Sequence, residues 1–380
     1  MGTSLKAQVE PSDSAPGVAA WDPKAAAKLR WGFSTGTAAT AAALAAASLA
    51  VSGKAPDRIE PTLPGGSKLG IDLIEASGRP GRPCRCAVVK DAGDDPDVTN
   101  GALISASVEI VKAPGLILAG GAGVGLVTKP GLVVKVGQWA INPSPRRMLA
   151  DNLSEVLASL EGSGLKVTIE IAGGEALALK TLNPRLGIIG GLSILGTTGL
   201  VKPFSHGAYV GAIDSAFRVA RAAKCQEIVL TTGVRSEALA RADRPDLPET
   251  AFVQIADFFR SGIKLAVHHH FSAIGLAVFF GKAVKQAQGT PYTHAHHGDL
   301  TLEPLAECVR DFWAETERLF VSAPTAMAAL EVLRARGALG AVPLVAGKVL
   351  AAARAFAGPG PNLWVRIYDF DGPLLALAEG

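Results

Sequence analysis

The chain has 380 residues, 48% of them hydrophobic, with 43 glycines and 24 prolines. That composition suits a globular protein of two or three domains with real cores and excludes a disordered chain. Lysine plus arginine number 37 and aspartate plus glutamate 34, for a net charge of +3. This is too even for a nucleic-acid binder recognised by bulk charge, and it leaves room for a local basic site facing an acidic small molecule. Cys84, Cys86, Cys225 and Cys308 include one Cys-x-Cys and no Cys-x-x-Cys, so neither a disulfide framework nor a zinc site is signalled, and no metal centre of the protein's own is expected.

In chain order, the first residues to about Lys24 mix Lys6, Glu10, Asp13 and prolines without an apolar h-region, which reads as a loose tail on a cytoplasmic protein. No segment reads as a membrane span. The most apolar helix candidate, Ala38 to Val51, is alanine-dominated and carries Thr40 and Ser48, as a buried helix would. Just before it, Trp31-Gly-Phe-Ser-Thr-Gly-Thr sets Ser34, Thr35 and Thr37 where hydroxyls cap a helix N-terminus. Strands are predicted over Ile59 to Pro61, Leu69 to Ile74 and Cys86 to Lys90.

The third of these strands delivers an acidic turn carrying Asp91, Asp94, Asp95 and Asp97. Like charges so close repel, and must be offset by cations, a metal or N–H donors. A hard-cation site, a general acid or base, and a cluster grasping polar groups of a substrate all fit; the plain alternative is a solvated turn. Pro96 and the missing closing glutamate exclude an EF-hand loop.

Gly101 to Lys112 is strand-like and Gly115 to Val136 glycine-rich. Leu126 stands where a dinucleotide fingerprint starting at Gly121 needs its third glycine, so that motif is discounted. Asn142 reads as a helix N-cap with Pro143 in the first turn. Arg146 and Arg147 follow, where the helix dipole disfavours cations, and this conflict points to an anionic partner. Lys166 to Ala172 is a further strand. Asn183-Pro184 breaks the pattern, and a domain boundary is set there. A tail (1–24), an α+β substrate-side domain (25–184) and a Rossmann-like, doubly wound, mostly parallel α/β domain (185–380) are expected.

The second domain is expected to open on Arg185 to Pro203. Two apolar runs are interrupted by Gly190 and Gly191 and closed by Gly196, Thr197, Thr198 and Gly199. This reads as a strand ending in a glycine turn whose N–H groups approach a ligand, as in nucleotide sites, or as a structural turn that binds nothing. Strands and helices then alternate, which implies a parallel sheet with ligands at its carboxyl ends. Those ends carry Thr232, Gly233 and Arg235, then Asp257, then Gly281 and Lys282. Asp257 suits a ribose or amine and equally a helix cap; Lys282 suits an anion contact. His268, His269 and His270 close a helix. His294, His296 and His297, followed by Asp299, have the density of a metal or substrate site. The chain is then helical from Leu302 to about Phe356, and Leu363 to Tyr368 is a last strand before Asp369-Phe370-Asp371-Gly372.

Six segments in order resemble one family: Gly32-Phe-Ser-Thr-Gly-Thr with its alanines; Lys90-Asp-Ala-Gly-Asp-Asp-Pro-Asp-Val-Thr; Val127-Thr-Lys-Pro-Gly-Leu; Ala140-Ile-Asn-Pro with Pro145-Arg146; Gly190-Gly-Leu-Ser-Ile-Leu-Gly-Thr-Thr-Gly; and Gly281-Lys282 with Thr293-His294. The family is that of the cobalt-precorrin-5B C(1)-methyltransferases, the CbiD proteins of the oxygen-independent cobalamin pathway. The resemblance implies S-adenosylmethionine as methyl donor and a cobalt-containing, carboxylate-rich tetrapyrrole as acceptor. Ring carbon 1 is methylated to give cobalt-precorrin-6A, with cobalt present only as part of the substrate.

The chain departs from the family at Ala38, where many relatives carry cysteine, and at Asn100, where histidine is frequent. Neither position can then hold an indispensable nucleophile or ligand. The surroundings of His268 and His294 also drift from the family pattern.

Transfer from a sulfonium to a ring carbon needs alignment more than a protein nucleophile, a contribution of roughly 7–11 kcal/mol in favourable systems. The expected donor site is Gly190, Gly191, Gly196, Thr197, Thr198, Gly199, Thr232, Gly233, Asp257 and Gly281. Ser34, Thr35, Thr37, Arg146, Lys202, Arg235 and Lys282 are expected on the acceptor, and Asp91, Asp94, Asp95 and His294 in catalysis. A bulky residue at Gly196 is expected to abolish donor binding and leave the fold intact. A nicotinamide- or flavin-dependent oxidoreductase and a non-catalytic tetrapyrrole carrier are the rival readings. No nucleic-acid or membrane partner is expected, and a homo-oligomer is left open.

Overall fold

The computed structural model describes residues 29–294, 301–312, 314–370 and 372–380. The expected tail, and His296, His297, Asp299 and Asp371, lie outside the described residues. The chain forms two compact units, one from Lys24 to Ser205 and the other from His206 to Gly380.

The N-terminal unit contains β1 (Gly32–Phe33), α1 (Thr35–Ser52), β2 (Arg58–Ile59), β3 (Ile71–Asp72), β4 (Glu75–Ser77), β5 (Cys84–Val89), β6 (Leu103–Val111), β7 (Gly115–Gly120), β8 (Gly123–Val124) and β9 (Leu126–Val127). It continues with α2 (Pro143–Ala158), β10 (Gly164–Ile171), α3 (Gly174–Ala178), β11 (Ile188–Ile189), β12 (Gly191–Leu192) and β13 (Leu200–Val201). Its main sheet runs β4-β5-β6-β10-β7, antiparallel except for the β10–β7 pair. Helix α1 packs on β5, β6 and α2, and its alanines from Ala38 to Ala47 are fully buried. Small side chains on every face let the sheet and a second helix approach closely, so the helix is apolar all round rather than amphipathic. Gly53 at φ 75° ends it with a left-handed cap. Ile104, Leu149, Leu153, Leu165 and Ile169 complete the core.

The expected division at Pro184 is corrected here. Residues 185–203 do not open the parallel sheet; β11 pairs with β9, β12 with β8 and β13 with β1, all within the N-terminal unit. Two-residue strands broken by glycines cannot sustain a sheet of their own and are absorbed as edge pairings on the preceding fold.

The C-terminal unit contains α4 (His206–Ala222), β14 (Glu227–Thr231), α5 (Val234–Asp243), β15 (Phe252–Gln254), α6 (Phe259–His268), β16 (Ala273–Phe279), α7 (Phe280–Ala287), α8 (Ala314–Val321), α9 (Ala326–Ala335), α10 (Val342–Ala357), β17 (Asn362–Tyr368) and β18 (Leu374–Glu379). Its sheet runs β15-β14-β16-β17-β18, with every neighbouring pair parallel except β17–β18. Ile228, Val229, Leu230 and Leu276 are buried, as expected of strands covered on both faces. The stretch expected to be helical from Leu302 holds three α-helices, with a 3-10 turn over Glu303–Cys308 before the first and another over Leu339–Ala341 before the third. The closing strand β18 escapes a sequence reading because its alternation is short and follows a turn.

Thr35–Ser52 and Leu339–Ala357 are long and apolar enough to cross a membrane by length and composition. The first is longer than the segment read from sequence and is 78% buried in its unit, the environment of a core helix. The second lays Val342, Val345, Val349 and Ala353 into the C-terminal core.

Candidate functional site

The acidic loop after β5 is held by cations and main-chain donors. Arg30 grips the Asp91 carboxylate with two guanidinium bonds, and its own N–H donates to Asp94 Oδ2 at 2.6 Å. The Arg30 bond holds the Asp91 carboxyl below the usual range. Lys90, 1% exposed, donates to Asp97 Oδ2 at 2.8 Å, while Thr99 donates its N–H and hydroxyl to Oδ1. Burial pushes Asp97 up, but Lys90 and the Thr99 donors outweigh it and hold this carboxyl low.

Asp95 differs from the other three. Its Oδ1 accepts the Phe204 N–H at 2.8 Å, and among the described residues no cation forms an ion pair with it. Burial, helped by the charge of Asp97, raises this carboxyl despite the Phe204 donor and the nearby Lys90.

The glycine turn is laced to the start of α1. Gly199 O accepts the Ser34 N–H at 2.9 Å and the Thr37 hydroxyl at 2.6 Å. Thr35 Oγ1 takes the Leu195 N–H at 2.9 Å and lies 3.2 Å from Ser193 O, while Ser34 Oγ accepts the Thr37 N–H as helix cap. All three hydroxyls expected on the substrate are thus spent inside the protein. Thr197 and Thr198 do not start a helix, because β13 intervenes before α4. Gly196 sits at φ 130°, and a Cβ there would lie 2.2 Å from Ser34 Oγ, so a bulky residue at this position strains the fold itself. Arg146 Nε donates to Ile141 O at 2.7 Å, which ties the guanidinium to its own helix approach; Lys202 lies over the Trp31 ring at 6.0 Å.

Gly190 and Gly191 line a cleft of about 830 Å³ within this unit. Among the described residues its walls are alanine, glycine, proline and aliphatic residues, and Glu175 is the one charged side chain. Leu179 and Ile189 on the wall are 77% and 60% exposed. The room, the side-chain-free glycine surfaces and a carboxylate suit an apolar small molecule bearing a cation. Sequence reading missed Glu175; Gly173-Gly174 directly after β10 was the available signal.

In the C-terminal unit the carboxyl ends of β14, β15 and β16 bring together Thr232, Gly233, Arg235, Asp257, Gly281 and Lys282. Asp257 neither caps α6 nor stands free: it pairs with Lys282, whose Nζ also donates to Thr293 O at 3.1 Å. The anion that Lys282 contacts is therefore internal. Ala256 beside it holds φ 46°, a costly conformation for a residue with a side chain. Tyr209 stacks on Phe258 at 4.9 Å, and burial and the Asp257 charge raise its phenol. His294 stacks on Tyr292 at 6.0 Å while its carbonyl accepts from Lys285 Nζ at 2.7 Å. Burial and the charge of Lys282 lower the Lys285 ammonium. Ser236 Oγ accepts the Thr232 and Gly233 N–H groups, and Arg235 packs over Phe370 at 4.0 Å while donating to its carbonyl. In the histidine trio, His269 Nε2 bonds Asp214 Oδ1 at 2.7 Å. The expected donor site is thus divided, with Gly190 to Gly199 in one unit and Thr232, Gly233, Asp257 and Gly281 in the other.

The CbiD family model matches residues 22–203, and a model described as the CbiD C-terminal domain matches residues 292–379. The cobalt-precorrin-5B C(1)-methyltransferase of Salinispora arenicola is 41% identical over 93% of each chain. The enzyme of that name from Nitratidesulfovibrio vulgaris is 42% identical over 93% of each. The crystal structure of the cobalamin biosynthesis protein (cbiD) from Archaeoglobus fulgidus matches 81% of this chain and 85% of its own at 24% identity, with a TM-score of 0.37, too distant to bear on the fold. Identity at this level along nearly the whole chain, in both units, makes this protein a member of the CbiD family.

Proposed function

We propose that this protein is a C-methyltransferase that methylates carbon 1 of cobalt-precorrin-5B in cobalamin biosynthesis, in the cytoplasm, with S-adenosylmethionine as donor. The observation that carries this reading is the 41% identity over 93% of both chains to an enzyme of that name. The donor supplies an electrophilic methyl group on a sulfonium. The residues of this chain align the acceptor with it, exclude water and take up a proton.

As the macrocycle carbon gives its π electron pair to the new C–CH₃ bond, the donor's methyl–sulfur bond would break with its pair left on sulfur, so the donor would depart as a neutral thioether and the positive charge passed to the ring would be discharged by loss of a proton. Asp95 is the acceptor best suited to that proton: its carboxyl is raised by burial, it forms no ion pair among the described residues, and Phe204 N–H fixes one oxygen. Asp91, Asp94, Ser34, Thr35 and Thr37 hold the loop and the helix start. Within the N-terminal unit, Lys202 is the cation left to meet an acceptor carboxylate, from its place over the Trp31 ring.

Two sets of residues offer glycine-lined surfaces to the donor, the Gly190 cleft and the strand ends at Thr232, Gly233, Asp257 and Gly281. A Rossmann-like, doubly wound reading of the C-terminal sheet is supported by its strand order, second-first-third-fourth, and its three parallel pairings.

The test is incubation with cobalt-precorrin-5B and S-adenosylmethionine, followed by mass spectrometry. A gain of one methyl group is expected. No gain, from substrate that a relative of established activity does convert, overturns the reading.

A further inference from the structure

The cleft between α3 and the β11–β12 turn carries an unusual charge pattern. Among the described residues it is built from glycine, alanine and aliphatic side chains, and the one charged group lining it is the Glu175 carboxylate. Among the described residues Glu175 forms no ion pair and no side-chain hydrogen bond, whereas Asp257 at the other candidate surface is already neutralised by Lys282. Gly173 and Gly190 hold φ 66° and 81°, and a Cβ on either would meet nothing, so both turn bare backbone toward open space. A smooth apolar wall with one unpaired carboxylate selects a ligand with a flat apolar body and a cationic end. It disfavours polyanions.

Resting on the methyl-transfer reading above, we propose that this cleft holds the adenosyl amino-acid donor and that Glu175 pairs with its ammonium group. The ammonium is the partner that agrees with the chemistry. A carboxylate set against the sulfonium would stabilise the charge that transfer removes, and so slow the reaction, whereas the ammonium keeps its charge throughout. Glu175 is exposed to solvent, so the pairing adds a modest charge-assisted bond rather than a buried ion pair. Glu175 is then a positioning residue that fixes the donor's amino-acid end.

The test is equilibrium binding to the full chain of two ligands sharing the adenosyl body: S-adenosylhomocysteine, which keeps the ammonium, and methylthioadenosine, which lacks it. Glu175→Gln, an exposed and nearly isosteric change, is expected to weaken S-adenosylhomocysteine about fivefold and to leave methylthioadenosine within about twofold. Ala176→Trp, which fills the cleft from an exposed helical position, is expected to weaken both. The proposal is overturned if Glu175→Gln weakens neither ligand or both alike, or if Ala176→Trp leaves both unchanged. A wild-type protein that binds neither ligand removes the methyl-transfer reading as well, while normal wild-type binding with an indifferent Glu175→Gln removes the Glu175 assignment alone.

Discussion

Four aspartates within seven residues look equivalent in the sequence, and their partners separate them. Asp91 and Asp94 are tied to Arg30, Asp97 to Lys90, and Asp95, among the described residues, to the Phe204 N–H. Asp95→Asn keeps an oxygen for Phe204 and removes the titrating group. Methyl transfer is expected to fall by about a hundredfold or more, the usual scale for losing an acid–base group. The thermal midpoint at neutral pH should not fall, because a carboxyl raised by folding opposes stability once ionised. Turnover measured beside a melting curve checks this, and unchanged turnover would remove Asp95 from the reaction. That the loop would need cations and N–H donors was legible in the spacing of the acids. That Arg30 supplies most of the grip was not, since an arginine 61 positions away carries no local signal.

At the scale of elements, the glycine turn and the start of α1 form one joint. Gly196 has no room for a Cβ, and Gly199 O takes both the Ser34 N–H and the Thr37 hydroxyl. Gly196→Ala is therefore expected to destabilise the N-terminal unit by about 2 kcal/mol or more, through clash and a left-handed φ. Adding Ser34→Gly, which removes the obstructing side chain, should restore part of the loss despite forfeiting the helix cap. Urea unfolding of the two single variants and the double variant measures the coupling; simple additivity would show that the joint is not the cause. The sequence identified both pieces and assigned each a ligand. Only their pairing shows that their hydroxyls and carbonyls satisfy one another.

At the scale of the whole molecule, acid sensitivity follows from which carboxyls folding depresses. Asp91 and Asp97 are held below their ordinary values, so the stability they contribute is present above about pH 4 and is lost as the pH falls through their lower folded values. Asp97→Asn is expected to lower stability at neutral pH by about 3 kcal/mol, because it strands the buried Lys90 ammonium, and to flatten the decline in acid. Urea midpoints across pH 3 to about 7 check both, and a decline in acid as steep as that of the wild type would contradict the role given to this pair.

The family, the alternating strands and helices of the C-terminal unit and the buried alanine helix are legible in the order of residues alone. Each is written in local order, as motif, periodicity or composition. Tertiary structure decided where the chain divides, because two-residue strands take their sheet from distant partners. It also decided which carboxylates stand without an ion pair among the described residues, because Asp95 and Glu175 differ from their neighbours in their partners rather than in their residue type.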